Sequence, residues 1–359
     1  MNGISLIYKP VNQRNAIIVF LFFSLFFGTF VAKSQSISEL MEAEGISFIS
    51  NMQPNLQNVQ NDAIKKAISG NITELDMVRN SRNKMAELPE GVNATCLNNI
   101  YRLYTPENSA DSPLPLLIYF HGGGWCFGSI NSCSSFCATL AKEAKIAVLA
   151  VEYPLAPEHP YPSALNCCVD AWVYASKHAT ELGIDSNLIS LGGDSAGGNL
   201  ALSTAIRMIY TQEQLDMMGS HDLLPKIHSL VLFYPVVKVW NDNSESWQKY
   251  KTGYGLDGEI METFNEAYIG QYDAQLPLIS PFNAATRHLA ALPPTLIINA
   301  DKDILKDQGK EMYDRMKESG VNVKREVFTG TTHLFITVPG QPTAFNRAVK
   351  LAKEFLLKE

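Results

Sequence analysis

The sequence has no lysine- or arginine-rich run, and its 29 basic residues are outnumbered by 36 acidic ones, giving a net charge of −7. Nucleic acid is therefore excluded as a partner, because nothing supplies the contiguous positive charge that neutralises phosphates. A neutral substrate is easier to accommodate. Paired C-x-x-C clusters are missing too, so the six cysteines do not read as zinc ligands. There is no G-x-x-x-x-G-K-[ST] phosphate loop. Internal repeats, low-complexity segments and interdomain linkers are also absent. What remains is an ordinary globular α/β composition, with 46% hydrophobic residues in 359, ample for a sizeable core.

Long apolar runs are absent with one exception. Lys9 and Arg14 precede the uncharged stretch at residues 16–32, and Ala32-Lys33-Ser34 closes the segment. A basic n-region, an apolar h-region and a small-x-small site predict a signal peptide over residues 1–34, cleaved near Ser34, and hence export. At seventeen residues the run is short for a membrane span, so retention as a signal anchor is the second reading, and membrane attachment belongs to that reading alone. No cysteine follows the run where a lipoprotein would be acylated. In an exported chain the six cysteines, Cys96, Cys126, Cys133, Cys137, Cys167 and Cys168, predict one or two bridges, with the other thiols buried as small hydrophobes.

Residues 35–95 are polar and helix-compatible, with apolar residues at three- and four-residue spacing and no strand signal before "NNIYRLYTP". From there short apolar runs alternate with helical patterns: "PLPLLIYFHGG", "IAVLAVEYP", "LISLGG", "KIHSLVLFYPVV", "PTLIINA" and "VNVKREVFTG" read as strands. This predicts a mostly parallel sheet with helices on both faces. Residues 240–285 break the rhythm, carry no strand signal and read as a helical insertion. Together with residues 35–95 they would cover the carboxyl edge of the sheet, where such folds bind ligands. The chain thus divides into an N-terminal helical cap segment (35–95), a first core part (96–239), the cap insertion (240–285) and a second core part (286–359). Trp240, Trp247, Tyr250, Tyr254 and Tyr268 in the insertion read either as an apolar substrate site or as the cap's own core.

Between a strand and a helix lies Gly193-Asp194-Ser195-Ala196-Gly197, a G-x-S-x-G turn in the context that a nucleophile elbow requires. The glycines Gly192 to Gly198 are not spaced as G-x-G-x-x-G, so the phosphate-cradle reading of this turn fails. A serine needs a base, and the oxyanion it generates needs donors. "FHGGGW" at residues 120–125 offers unobstructed main-chain N–H groups of the lipase and esterase HGGG kind. The donors are assigned to Gly123, Gly124 and Ala196, with Gly122 in the loop and His121 holding it. Beyond Ser195 lie His221, His228, His288 and His333, and only His333 follows a late strand in a glycine- and threonine-rich loop, which makes it the base. For the acid, "IINADKDILKDQG" offers Asp301, Asp303 and Asp307. Asp307 falls inside the next helix, where it suits the dipole; Asp301 and Asp303 stay equal on local grounds.

With HGGGW at 121–125, "EYPLAPEHPYPSAL" at 152–165, GDSAGGNLA at 193–201, "DILKDQG" at 303–309 and the late His333, the chain resembles the hormone-sensitive-lipase-like family of α/β-hydrolases, the bacterial family IV esterases and their arylacetamide-deacetylase-like relatives. The resemblance spans about residues 97–359. It implies the α/β-hydrolase fold with a helical cap, and it places the acid on Asp303, with Asp307 as the second aspartate of D-x-L-x-D. It implies no cofactor or metal, and a bracing role for Glu158 in the proline-rich stretch. The expected activity is carboxylic-ester hydrolysis through an acyl-enzyme on a small-molecule ester, of short to medium acyl length, with acetylated carbohydrate or xenobiotic esters as candidates. An amidase with the same triad and a non-catalytic ligand-binding relative are the rival readings; the latter typically lacks a triad member, and here all three are present.

Overall fold

The computed structural model describes residues 35–108, 112–218 and 225–358. The export or anchor segment at 1–34 lies outside the described residues. Among these, no helix is long and apolar enough to cross a membrane.

Three helices come first: α1 (Ile37–Asn51), α2 (Leu56–Ile68) and α3 (Thr73–Arg82). Helix α2 buries Ala63, Ile64 and Ala67 on one face, which is the three-and-four spacing visible in its sequence. Helix α3 carries Glu74 and Asp76 in its first turn and Arg79 and Arg82 in its last, the charge order that a helix dipole favours.

The centre is an eight-stranded sheet. Its strands are β1 (Val92–Leu97), β2 (Tyr101–Pro106), β3 (Leu114–Phe120), β4 (Ala147–Val151), β5 (Ile184–Asp194), β6 (Leu230–Phe233), β7 (Thr295–Lys302) and β8 (Val323–Thr332). They lie in the order β1-β2-β4-β3-β5-β6-β7-β8. β1 and β2 run antiparallel to their neighbours, and every pair from β4 across to β8 is parallel. The parallel strands are covered on both faces, so successive residues feed two cores: Leu116, Ile118 and Phe120 of β3 enter one cluster, Leu117 and Tyr119 the other. Helix α4 (Ser134–Ala144) packs with α11 (Pro342–Leu356) on one side, and α5 (Ser163–Lys177) with α6 (Ala196–Met217) on the other. The expected α/β-hydrolase sheet with its helical insertion is what the chain forms.

Three expectations need correction. Strand β1 occupies residues read as the end of a helical stretch; it is an edge strand with only Val92 buried, so it lacks the apolar alternation that marks an inner strand. "KIHSLVLFYPVV" yields only four strand residues, because Tyr234 turns to a positive φ of 36° and Pro235 has no N–H to donate. All six cysteines are free thiols. The four buried ones are divided between the two cores, Cys126 and Cys168 on one face of the sheet, Cys133 and Cys137 on the other, where they pack as small apolar groups.

Between β6 and β7 the chain forms α7 (Glu245–Tyr250), α8 (Gly258–Ile269) and a single 3-10 turn at Pro281–Asn283, before α9 (Thr286–Ala290). Helix α8 meets α2 directly: Glu259 accepts from Asn61 Nδ2 at 2.8 Å and pairs with Lys65 at 2.9 Å. The two cap segments therefore pack against each other. Helix α10 (Lys306–Glu318) follows β7 and links it to β8.

Candidate active site

Strand β5 ends at Asp194 and α6 begins at Ala196, leaving Ser195 alone in the turn with φ 55° and ψ −117°. A residue with a Cβ rarely holds such a conformation, and here the surroundings impose it. The Ser195 N–H donates to the Phe233 carbonyl at 2.9 Å, and its own carbonyl accepts from Asn199 at 3.1 Å and Val236 at 3.2 Å. Gly197 lets the turn be this tight, since a Cβ there would run into the carbonyl oxygen of Phe120 at the end of β3.

The Ser195 hydroxyl donates to His333 Nε2 at 3.0 Å, and His333 Nδ1 donates to Asp303 Oδ2 at 2.7 Å. Asp303 and His333 are buried, and the second carboxylate oxygen of Asp303 accepts the Leu305 N–H at 3.0 Å. Of the three aspartates at and beyond the end of β7, only Asp303 reaches the histidine. Asp301 lies against Lys306 at 3.4 Å and accepts from the Gly330 N–H, while Asp307 accepts from the Ser246 N–H at 2.7 Å and so ties α10 to the cap. Gln341 fixes the histidine loop by accepting from Thr332 N and donating to Thr332 Oγ1, both at 3.0 Å. The Tyr234 ring sits 4.4 Å from the imidazole.

The glycine loop after β3 faces the serine. Gly123 and Gly124 both take positive φ, 122° and 60°, and line the same cavity as Ser195 and His333. Asp194, one residue before the nucleophile, holds this loop to the elbow: its Oδ1 accepts from the Gly122 N–H at 3.0 Å and from Tyr119 Oη at 2.8 Å. Complete burial pushes the Asp194 carboxyl up to about 6 despite those two donors. His121 also belongs to the scaffold. Its Nδ1–H donates to the Gly122 carbonyl at 2.9 Å, and its ring stacks on Tyr153 at 4.2 Å. Burial lowers its pKa to about 4, so it stays neutral near pH 7.

Glu158 does not touch the serine, histidine or aspartate. Its carboxylate takes both arms of the Arg79 guanidinium, at 2.5 and 3.0 Å. Arg79 in turn donates to the carbonyls of Cys126 and Ala156, each at 2.8 Å, so Glu158 braces the glycine loop through a cap helix. Burial raises the Glu158 pKa, and the Arg79 contacts more than reverse this, leaving it below the usual carboxylate value. Arg79, Tyr119, Tyr153 and Gln341 are site supports that no motif announces.

Above Ser195 lies a cavity of about 690 Å³ whose apolar wall is made by Phe48, Phe127, Leu256, Ile260 and Phe264. None of Trp240, Trp247, Tyr250, Tyr254 and Tyr268 lines it. Tyr268 stacks on Trp125 at 4.2 Å and so joins the insertion to the glycine loop, while Tyr250 packs against Tyr254 within the cap. Among the described residues, no group of three acidic, histidine or cysteine side chains is placed to hold a metal ion.

The family described as the alpha/beta hydrolase fold matches residues 117–337. The chain is an α/β-hydrolase of the hormone-sensitive-lipase-like type. This α/β-hydrolase is 34% identical over 239 residues to an ethyl acetate hydrolase from Pseudomonas putida, covering 66% of this chain and 70% of the relative. It is 32% identical over 240 residues to an arylesterase from Saccharolobus solfataricus, covering 66% and 73%. Among solved structures, carboxyl esterase 2 from Tuber melanosporum superposes with a TM-score of 0.68 at 26% identity, over 77% of this chain and 90% of that one.

Proposed function

We propose that this α/β-hydrolase hydrolyses carboxylic esters of short to medium acyl length through an acyl-enzyme. The unbroken chain of hydrogen bonds from Ser195 through His333 to Asp303, opening into a largely apolar cavity, carries the reading. Ser195 Oγ attacks the ester carbonyl as His333 Nε2 takes its proton, and Asp303 holds the imidazole in the tautomer that can accept it. The oxyanion moves toward the N–H groups of Gly123, Gly124 and Ala196. Collapse expels the alcohol, which takes the proton back from His333, and water then repeats the sequence to free the acid. The likeness to an ethyl acetate hydrolase and an arylesterase supports an ester substrate, and acetylated carbohydrates and xenobiotic esters are the substrate groups to assay first.

The test is Ser195→Ala assayed on p-nitrophenyl esters graded by acyl length, with a matched anilide alongside. Turnover should fall by at least about 10³-fold with the thermal melting profile unchanged. Turnover retained in the variant, or an anilide cleaved faster than its ester, would reject the reading. Export is part of the same proposal and rests on Lys9, Arg14 and the uncharged run that follows. Sequencing the N-terminus of the secreted protein should find a start near Ser34.

A further inference from the structure

Arg79 and Arg82 lie one turn apart on α3 and have opposite fates. Arg79 is saturated by Glu158 and two carbonyls, with Asp76 at 3.5 Å. Arg82 makes no hydrogen bond or ion pair with any described residue; its guanidinium lies 5.4 Å from the centre of the Phe127 ring. Arg82 is exposed to solvent, and partial desolvation by the chain around it lowers its pKa. Among the described residues, Arg82 is also the sole lysine, arginine, aspartate or glutamate lining the 690 Å³ cavity.

Its position relative to the serine follows from ring contacts. The Phe264 ring lies directly on Gly124 of the glycine loop, Phe127 meets Phe264 edge to face at 5.8 Å, and Arg82 covers Phe127. An apolar path therefore runs from the glycine loop to a guanidinium at the cavity wall that pairs with no described acidic residue. A planar guanidinium that no described protein residue engages matches a carboxylate, which it can bind through two parallel hydrogen bonds.

We infer that Arg82 is a specificity residue, and that the cavity takes esters with an apolar body ending in a carboxylate, such as monoesters of dicarboxylic acids or aryl esters bearing a carboxyl group. The inference rests on the proposed esterase activity and names its substrate class. The apolar part packs on Phe264 and Phe127 while the carboxylate meets Arg82, so binding is shared between desolvated surface and one charge-assisted contact.

Two matched pairs test it in the full-length enzyme: p-nitrophenyl hydrogen glutarate against p-nitrophenyl pentanoate for the acyl side, and 4-acetoxybenzoate against p-tolyl acetate for the alcohol side. In at least one pair, Arg82→Gln should lower kcat/KM for the carboxylate ester on the order of tenfold, mostly through KM, and leave the neutral partner within twofold. Arg82→Lys should recover part of the loss, and added salt should raise KM for the carboxylate ester alone in the native enzyme. If Arg82→Gln moves both members of each pair equally, or neither, the inference is overturned. Neutral esters turned over by the native enzyme and by Arg82→Gln, but not by Ser195→Ala, keep the esterase reading intact in that event.

Discussion

At the scale of single residues, Asp194 and His121 grip the same Gly122, one through its N–H and one through its carbonyl, and burial shifts both toward neutrality. The consequences for stability have opposite signs. Asp194 moves from an ordinary 3.8 to about 6, so between those values the folded chain holds a proton that the unfolded chain has released. Stability from this group falls as pH rises from about 4 to 6. His121 moves from 6.5 to about 4, so in that interval the unfolded chain takes a proton that the folded one refuses, and stability rises with pH. Each contribution is on the order of 3 kcal/mol, and the two largely offset one another. Asp194→Asn should therefore make stability climb more steeply than in the native protein between pH 4.5 and 6.5, and His121→Gln should tilt the curve the other way. Urea unfolding across that interval measures both slopes, and curves parallel to the native one for both variants would show that neither shift is real.

At the scale of elements, one side chain of α3, Arg79, ties the glycine loop and the proline-rich loop to the cap together. Arg79→Ala removes donors to Cys126, Ala156 and Glu158 at once, and with them the fixed position of Val78, Ser81 and Arg82 in the cavity wall. Because serine, histidine and aspartate are untouched, KM for a medium-chain ester should rise about three- to tenfold with kcat within about twofold. Glu158→Gln should do less, since the carbonyl acceptors remain and the lost pair is partly solvated. A fall in kcat with unchanged KM would mean that α3 acts on the chemistry and not on the cavity. This clamp also marks what could be read in advance. Ser195, His333 and the glycine loop were legible because their chemistry demands particular residue types at a strand end. Asp301 and Asp303 were locally equivalent, and only the family pattern, later the 2.7 Å contact, separates them. Arg79 and Glu158 are 79 residues apart and meet through tertiary packing, which no local spacing encodes. Strand β1 was missed for a related reason: an edge strand with one buried side chain leaves no period in the sequence.

For the whole molecule, the parallel sheet buried on both faces decides the state of the cysteines. Export and an even number of thiols argued for bridges, yet the two cores draw Cys126 and Cys168 to one face and Cys133 and Cys137 to the other, with β-strands between. Burial raises the pKa of Cys126, Cys137 and Cys168, and lifts that of the half-buried Cys167 to about 11, so little thiolate exists to be oxidised at neutral pH. Cys96 alone is exposed. A chain exported with this packing should therefore give one fast-reacting equivalent with a thiol reagent such as Ellman's when native. It should give six in denaturant without any reductant. Two missing equivalents in the unfolded sample would establish a bridge that the packing described here does not contain. More than two fast equivalents in the native sample, beyond what exposed Cys96 and half-buried Cys167 can supply, would instead place the failure in the packing itself, because a core cysteine reacts only when the layer covering it opens.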